Sequence, residues 1–139
     1  MKAMAALESY VANCGLERSL IDLVKTRASQ INGCAFCLHM HTRDARAQRE
    51  TEERLYLLDA WRESPLYSDR ERAALGWTEA VTLVSQTHVP DAVFEEVRRH
   101  FDEAEVTKLT LLIATINAWN RLAISFRSLH PVTHTQKAA

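Results

Sequence analysis

The chain has 139 residues, the length of one ordinary domain, and 47% of them are hydrophobic against 25% charged. Its 17 basic and 18 acidic residues nearly cancel to a net charge of −1, which excludes the strongly basic surface of a nucleic-acid-binding protein. With only three glycines and three prolines, the composition favours long regular elements joined by short loops.

Hydrophobic residues recur at three- and four-residue steps along nearly the whole chain, which predicts α-helices rather than strands. Gly15 would end the first helix and Asn32-Gly33 the second. Ser68 and Glu71 match a capping box at the start of a later helix. The predicted helices cover, to within a few residues, 3–13, 17–30, 34–50, 51–61, 68–84, 90–100 and 103–126.

Helices without strands imply a bundle. We therefore predict an all-α, single-domain helical bundle of about six to seven helices over residues 1–139, with a flexible tail at 130–139. The first residues lack the apolar core of a secretory signal, and no segment reaches the length of a transmembrane helix. The cysteine count of three is odd, whereas a secreted disulfide scaffold normally has an even number. These features predict a cytoplasmic protein without a membrane partner.

Two cysteines and two histidines cluster at the start of the third predicted helix, in the segment Cys34-Ala-Phe-Cys37-Leu-His39-Met-His41. At about 100° per helical residue, Cys37 lies about 60° from Cys34 and His41 about 20° from it, whereas His39 points to another side. A thiol at a helix N-terminus lies near unpaired N–H groups and the positive end of the helix dipole, which favours the thiolate. With an imidazole one turn away, the pair has the groups needed for two-electron redox chemistry.

Two other interpretations use the same residues. Zinc binds Cys and His, but a structural zinc site takes four ligands, and only Cys34, Cys37 and His41 share this face. Free cysteines are also common in protein cores, so the pair could be inert, and we predict that Cys14, which has no such neighbours, is a core residue. Because two cysteines and a histidine share one face at a helix start, we prefer the redox interpretation and predict neither metal nor cofactor.

Polar residues interrupt the apolar final helix at Asn117, Trp119, Asn120 and Arg121. Buried amides need hydrogen-bond partners. We expect interhelical hydrogen bonds and a core tryptophan at these positions, with pocket lining or an oligomer contact as the alternative.

Residues 22–44 read DLVKTRASQINGCAFCLHMHTRD, which resembles the core motif of AhpD-like alkylhydroperoxidases in the carboxymuconolactone decarboxylase superfamily. The resemblance is strongest over residues 20–46 and continues more loosely through 69–84 and 116–126, so it covers most of the chain. It implies an all-α fold and a homo-oligomer, commonly a trimer or hexamer. It also implies a peroxidase that reduces hydroperoxides with its cysteine pair and is restored by an external thiol or disulfide reductant.

The resemblance also implies a role for each site residue. In that family the second cysteine attacks the peroxide and the first resolves it, so Cys37 would be the peroxidatic thiol and Cys34 the resolving one. His41 would link them to a proton relay that ends in an acid twelve positions before the first cysteine, here Asp22. The family usually has Glu there, and the shorter Asp22 side chain would need a bridging water to reach His41. Some active members have a His between the cysteines, where this chain has Phe36, which cannot carry a proton.

The sequence therefore favours a thiol-dependent peroxidase, a peroxiredoxin-type oxidoreductase. A first alternative is a non-enzymatic helical oligomer that senses redox state or binds zinc. A second is a lactone decarboxylase, the activity that gives the superfamily its name and that works without a cysteine pair.

Overall fold

Helices account for the regular structure in the computed structural model, which describes residues 1–132. Within that range the predicted all-α bundle is confirmed, with eight α-helices and one 3₁₀ turn. The elements are α1 (Lys2–Ala12), α2 (Arg18–Asn32), α3 (Ala35–Ala47), α4 (Glu52–Tyr56), the 3₁₀ turn (Leu58–Ala60), α5 (Asp69–Thr82), α6 (Val84–Thr87), α7 (Asp91–His100) and α8 (Glu103–Ser125). Most of the tail that we predict to be flexible, residues 133–139, lies outside the described residues.

The helix count exceeds the predicted six to seven because α6 forms separately from α5, where one helix was predicted. The Thr87 hydroxyl donates a hydrogen bond to the Ala80 carbonyl at 2.7 Å, and so satisfies one of the carbonyls left unpaired at the end of α5. The Val89 N–H in turn donates to the Thr87 hydroxyl at 3.2 Å. His88 ends α6 in the left-handed conformation, with φ of 50°. This local side-chain bonding competes with continuation of the helix.

The central element of the bundle is α2, which packs against α3, α5 and α8. Its residues 20–29 are all buried, so the helix is enclosed on every side. One apolar cluster lies between α2 and the helices α1, α5, α7 and α8, and a second lies towards α3, α4 and the 3₁₀ turn. Five of the ten buried residues on α2 are polar: Asp22, Lys25, Thr26, Arg27 and Ser29. Buried polar groups need partners, and those of Asp22 and Lys25 are found at the candidate site.

A Schellman motif ends α2 and delivers Cys34 to the start of α3. Gly33 adopts the left-handed conformation with φ of 67°, and its N–H donates to the Gln30 carbonyl at 3.2 Å. The Cys34 N–H donates to the Ser29 carbonyl at 3.0 Å, and Cys34 is then the N-cap of α3. The Cys34 sulfur accepts a hydrogen bond from the Cys37 N–H at 3.3 Å. The Asn-Gly break predicted from the sequence thus fixes the geometry of the cysteine pair.

Replacing Gly33 with Ala is expected to lower the free energy of unfolding by about 1–2 kcal/mol, because an L-residue is strained at positive φ. No atom lies within 4 Å of the position that the new Cβ would take, so the cost is conformational rather than steric. Urea denaturation followed by circular dichroism measures the difference. The matched control is Gly76→Ala within α5, where the new Cβ meets ordinary contact at 3.8 Å and stability should rise by about 0.5–1 kcal/mol. Equal effects at the two positions would contradict this explanation.

Over residues 1–132, none of the helices is both long and apolar enough to cross a membrane.

Candidate active site

Three of the four predicted site residues line one cavity. Cys37, His41 and Asp22 are all buried and border a cavity of about 540 Å³ between α1, α2, α3 and α8. Cys34 is also buried, but it is not among the residues that line this cavity. Both cysteines are free thiols. The structure therefore brings the predicted residues together and gives only the second cysteine access to the cavity.

The cavity wall is mainly apolar. Its apolar side chains come from all four surrounding helices: Ala12, Ile21, Phe36, Met40, Trp119, Leu122, Ala123 and Phe126. Phe126 is largely exposed and Met40 partly so, which places them where the cavity meets the surface. A cavity of this size and character suits a small organic molecule with an apolar body.

Burial raises the pKa of the Cys37 thiol to about 12. A hydrogen bond with Cys34 contributes to this rise in pKa, and one with Asn120 acts against it. The expectation that the helix start favours the thiolate is therefore wrong for Cys37, since desolvation of the sulfur outweighs the helix dipole. At neutral pH this thiol keeps its proton and needs a base in the site.

His41 is suited to act as that base. The pKa of the His41 imidazole is lowered to about 4, mainly by burial and next by the positive charge of Lys25, so the ring is neutral at pH 7. Its Nε2 atom is buried and has no hydrogen-bond partner in the described part of the chain. A neutral imidazole with a free ring nitrogen can accept a proton from a neighbouring thiol.

Asp22 faces the same cavity without contacting His41 directly. Its Oδ1 atom pairs with the Arg18 Nε atom at 3.3 Å, whereas Oδ2 is buried and has no partner among residues 1–132. Burial raises the pKa of this carboxyl, and the Arg18 charge acts in the opposite direction. The free Oδ2 atom of Asp22 and the free Nε2 atom of His41 are therefore not hydrogen-bonded to each other.

A partly buried ion pair, not predicted from the sequence, completes the polar part of the cavity. Lys25 lies on α2 one turn after Asp22 and pairs with Glu8 of α1. The second oxygen of Glu8 accepts a hydrogen bond from the Trp119 Nε1 atom at 3.1 Å. All three side chains line the cavity. A lysine inside an apolar helix pattern indicates a buried partner, but that partner lies on a different helix.

The asparagines of α8 form the expected interhelical hydrogen bonds. Asn32 of α2 donates to Asn117 at 3.0 Å and to Asn120 at 2.9 Å, and Asn120 donates to the Ser29 hydroxyl at 3.1 Å. Because Asn120 also hydrogen-bonds the Cys37 sulfur, the network ties α8 and the end of α2 to the candidate site. Trp119, expected in the core, lines the cavity instead.

The remaining candidates lie away from the cavity. His39 stacks on His130 with ring centroids 5.0 Å apart, on the other side of α3 as predicted. Cys14 is half-buried and packs at the edge of the apolar core. This cysteine is therefore less enclosed than predicted. In the described range, no group of three or more His, Cys, Asp or Glu side chains is arranged to hold a metal ion. The zinc alternative therefore lacks a ligand set there.

The fold and the site together define a class of protein, an all-helical bundle in which a buried pair of cysteines, Cys34 and Cys37, lies beside an apolar cavity. The chain belongs to the carboxymuconolactone decarboxylase family, whose model matches residues 1–80, and within that superfamily to the AhpD-like proteins.

Similar proteins are found among both sequences and solved structures. The uncharacterized protein YdfG of Bacillus subtilis (strain 168) is 46% identical over 125 residues, which cover 90% of this chain and 85% of YdfG. The Agrobacterium tumefaciens protein ATU0492, of unknown function, superposes with a TM-score of 0.93 at 51% identity, covering 95% of this chain and 90% of the other. An AhpD-type role in antioxidant defence has been suggested for ATU0492.

The debrominase Bmp8 is more distant, with a TM-score of 0.81 at 20% identity, covering 94% of this chain and 70% of Bmp8. At that identity the likeness concerns the fold alone.

Proposed function

We propose that this protein is a thiol-dependent peroxidase that reduces organic hydroperoxides through Cys37 and Cys34. The observation that carries the proposal is the opening of the reduced Cys37 thiol into an apolar cavity that it shares with His41 and Asp22. An organic hydroperoxide has an apolar body and one polar, reactive O–O group. Such a molecule matches a cavity with an apolar wall and a single group of polar side chains beside a sulfur.

In the first step the Cys37 sulfur attacks the terminal oxygen of the hydroperoxide. The thiol proton passes to the free nitrogen of His41 as the S–O bond forms, because the raised pKa of Cys37 leaves little thiolate beforehand. The O–O bond breaks and the Cys37 sulfur becomes a sulfenic acid. Asp22 takes part in the relay through a bridging water, since one of its oxygens is buried and has no partner among residues 1–132.

In the second step Cys34 resolves the sulfenic acid. Its sulfur hydrogen-bonds Cys37 and therefore lies within reach of the oxidised atom. Attack by the Cys34 sulfur forms the disulfide and releases water. An external thiol or disulfide reductant then returns both cysteines to the thiol form.

The proposal also includes a homo-oligomeric state and a cytoplasmic location. Exposed apolar side chains follow α8, at Phe126, Leu129 and Val132, and they support assembly into a trimer or hexamer. The free cysteines suit a reducing compartment, which supports the prediction of a cytoplasmic location.

The decarboxylase alternative gives no role to the cysteine pair. Decarboxylation of a lactone requires neither a thiol nor a resolving partner, whereas here the buried Cys37 thiol lines the cavity and the buried Cys34 thiol lies next to it. We therefore keep the peroxidase as the proposal.

The proposal is tested by counting thiols. Fully reduced protein, with its three cysteines, is mixed with one equivalent of cumene hydroperoxide, and free thiols are titrated over time. We expect the count to fall from three to one per chain within seconds, with Cys34 and Cys37 joined in a disulfide that peptide mass spectrometry identifies. A count that stays at three for many minutes would overturn the proposal.

A further inference from the structure

The first chemical step calls for a proton at a second position, on the oxygen that departs from the hydroperoxide. When the O–O bond breaks, the departing oxygen of an alkyl hydroperoxide leaves as an alkoxide, a strong base. An unprotonated anion is very unfavourable in a cavity with an apolar wall. His41 and Asp22 hold the proton of the Cys37 thiol while the O–O bond breaks, so a second acidic group beside the departing oxygen would protonate it at that moment and regain a proton from the relay afterwards.

Few groups that line the cavity can supply this proton. The Trp119 N–H is already bonded to Glu8. The Arg18 guanidinium pairs with Asp22, and an arginine side chain does not give up its proton in proteins. Lys25 carries three N–H donors, and across residues 1–132 its ammonium bonds only to Glu8. Its side chain is 8% exposed, so the two remaining donors are held inside the protein.

Lys25 also lies at the right position along α2. Asp22, Lys25 and Ser29 are three and four residues apart, so they share one face of the helix. Asp22 and Lys25 line the cavity together with Cys37, while Ser29 is bonded to Asn120, which contacts the Cys37 sulfur. Along α2, Lys25 therefore lies between Asp22, the acid of the relay, and Ser29, which is linked through Asn120 to the reacting sulfur. The effect of its charge on the pKa of His41, the largest of any charged group, agrees with this placement.

We propose that Lys25 is a further catalytic residue that protonates the departing oxygen of the hydroperoxide. This inference rests on the proposed peroxidase function. The Cys37 sulfur forms the S–O bond and is oxidised by two electrons, the O–O bond accepts those electrons, and the alkoxide takes one proton from the Lys25 ammonium and leaves as an alcohol. The neutral Lys25 amine then regains a proton from the His41 imidazolium through solvent. The complete step consumes one thiol and one hydroperoxide and yields one sulfenic acid and one alcohol.

A change of leaving group separates proton donation from a structural role. A peroxyacid such as peracetic acid releases a carboxylate, a weak base that needs no proton from the enzyme. In Lys25→Met, we expect the rate of thiol loss with cumene hydroperoxide to fall about 100-fold, as for removal of a general acid. With peracetic acid the rate should change by less than about threefold, because no general acid is needed. The matched control is Lys108→Met on α8, a lysine outside the cavity, which should alter neither rate.

A second pair of variants guards against misfolding, since Lys25→Met leaves Glu8 without its partner. Glu8→Gln serves as the reference, and Glu8→Gln/Lys25→Gln places two neutral amides at the ion pair. The double variant should show the same selective loss with cumene hydroperoxide relative to Glu8→Gln. Lys25→Arg keeps the positive charge but is a far weaker acid, so it should not restore the rate.

The outcomes are distinct. Loss of both rates in the same proportion, or full rescue by Lys25→Arg, would overturn the role of Lys25 while leaving the peroxidase proposal intact. A wild-type protein that reacts with neither oxidant would instead overturn the peroxidase proposal itself.

Discussion

Replacing Cys37 with Ser is expected to abolish hydroperoxide-dependent thiol loss. Of the two cysteines in the motif, only Cys37 lines the cavity, so it alone can meet a bound hydroperoxide. A serine hydroxyl is a much poorer nucleophile towards the O–O bond and cannot form a disulfide. In this variant both remaining thiols, Cys14 and Cys34, should stay free over a time in which the wild type loses two.

Cys34→Ser should behave differently, because the first step does not need the resolving thiol. We expect rapid loss of one thiol, a sulfenic acid on Cys37 that dimedone traps for mass spectrometry, and no catalytic turnover. Cys14→Ser is the matched control, since this half-buried cysteine lies apart from the pair, and it should retain the wild-type rate. Normal turnover in Cys37→Ser, or loss of the first step in Cys34→Ser, would contradict the assignment of roles.

The parts of the site that lie within one helix could be predicted from the sequence. Helical periodicity alone places Cys37 and His41 on one side of α3 and His39 on another, and the structure agrees. The Asn-Gly pair marks the end of α2, since glycine readily adopts the left-handed conformation that a Schellman motif requires. These predictions succeed because they depend on residues fewer than eight positions apart.

The parts that depend on packing between helices could not be predicted. The pairing of Lys25 with Glu8 joins residues on α2 and α1, and no local pattern selects Glu8 among the acidic residues. The direction of the Cys37 pKa shift was also wrong, because the sequence indicates a helix start but not how deeply that start is buried. The packing of α8 against α3 contributes to this burial and brings Asn120 to the Cys37 sulfur.

The same packing explains why one face of α2 contributes two charged side chains, Asp22 and Lys25, to the cavity. Buried polar side chains need partners, and on α2 Lys25 pairs with Glu8 of α1, whereas Asp22 pairs with Arg18 one turn earlier on α2 itself. Among residues 1–132, Asp22 keeps one carboxyl oxygen without a partner. Lys25 keeps two N–H groups that are not bonded to Glu8. The residual hydrogen-bonding capacity is what a polar ligand in the cavity would use.

His41→Gln is expected to slow the reaction with cumene hydroperoxide by about 10²–10⁴-fold at pH 7, the usual effect of removing a general base. The lowered pKa of His41, about 4, means that the ring is neutral and able to accept a proton throughout the range from pH 6 to 9. The wild-type rate should therefore be nearly independent of pH there. Without His41, the proton must leave to solvent, and the pKa of Cys37 near 12 makes the thiolate fraction rise about tenfold per pH unit.

The measurement is the initial rate of thiol loss at several pH values between 6 and 9, in wild type, His41→Gln and His39→Gln. His39 is the matched control, because its imidazole lies on the same helix but stacks on His130 outside the cavity. Lower pH is avoided because a buried histidine with a lowered pKa binds its proton more readily in the unfolded chain, so the folded state loses stability as the pH falls from 6.5 towards 4. A flat profile for His41→Gln would show that another group accepts the Cys37 proton, and Asp22, whose raised pKa and free oxygen suit it to that role, would be the next residue to replace.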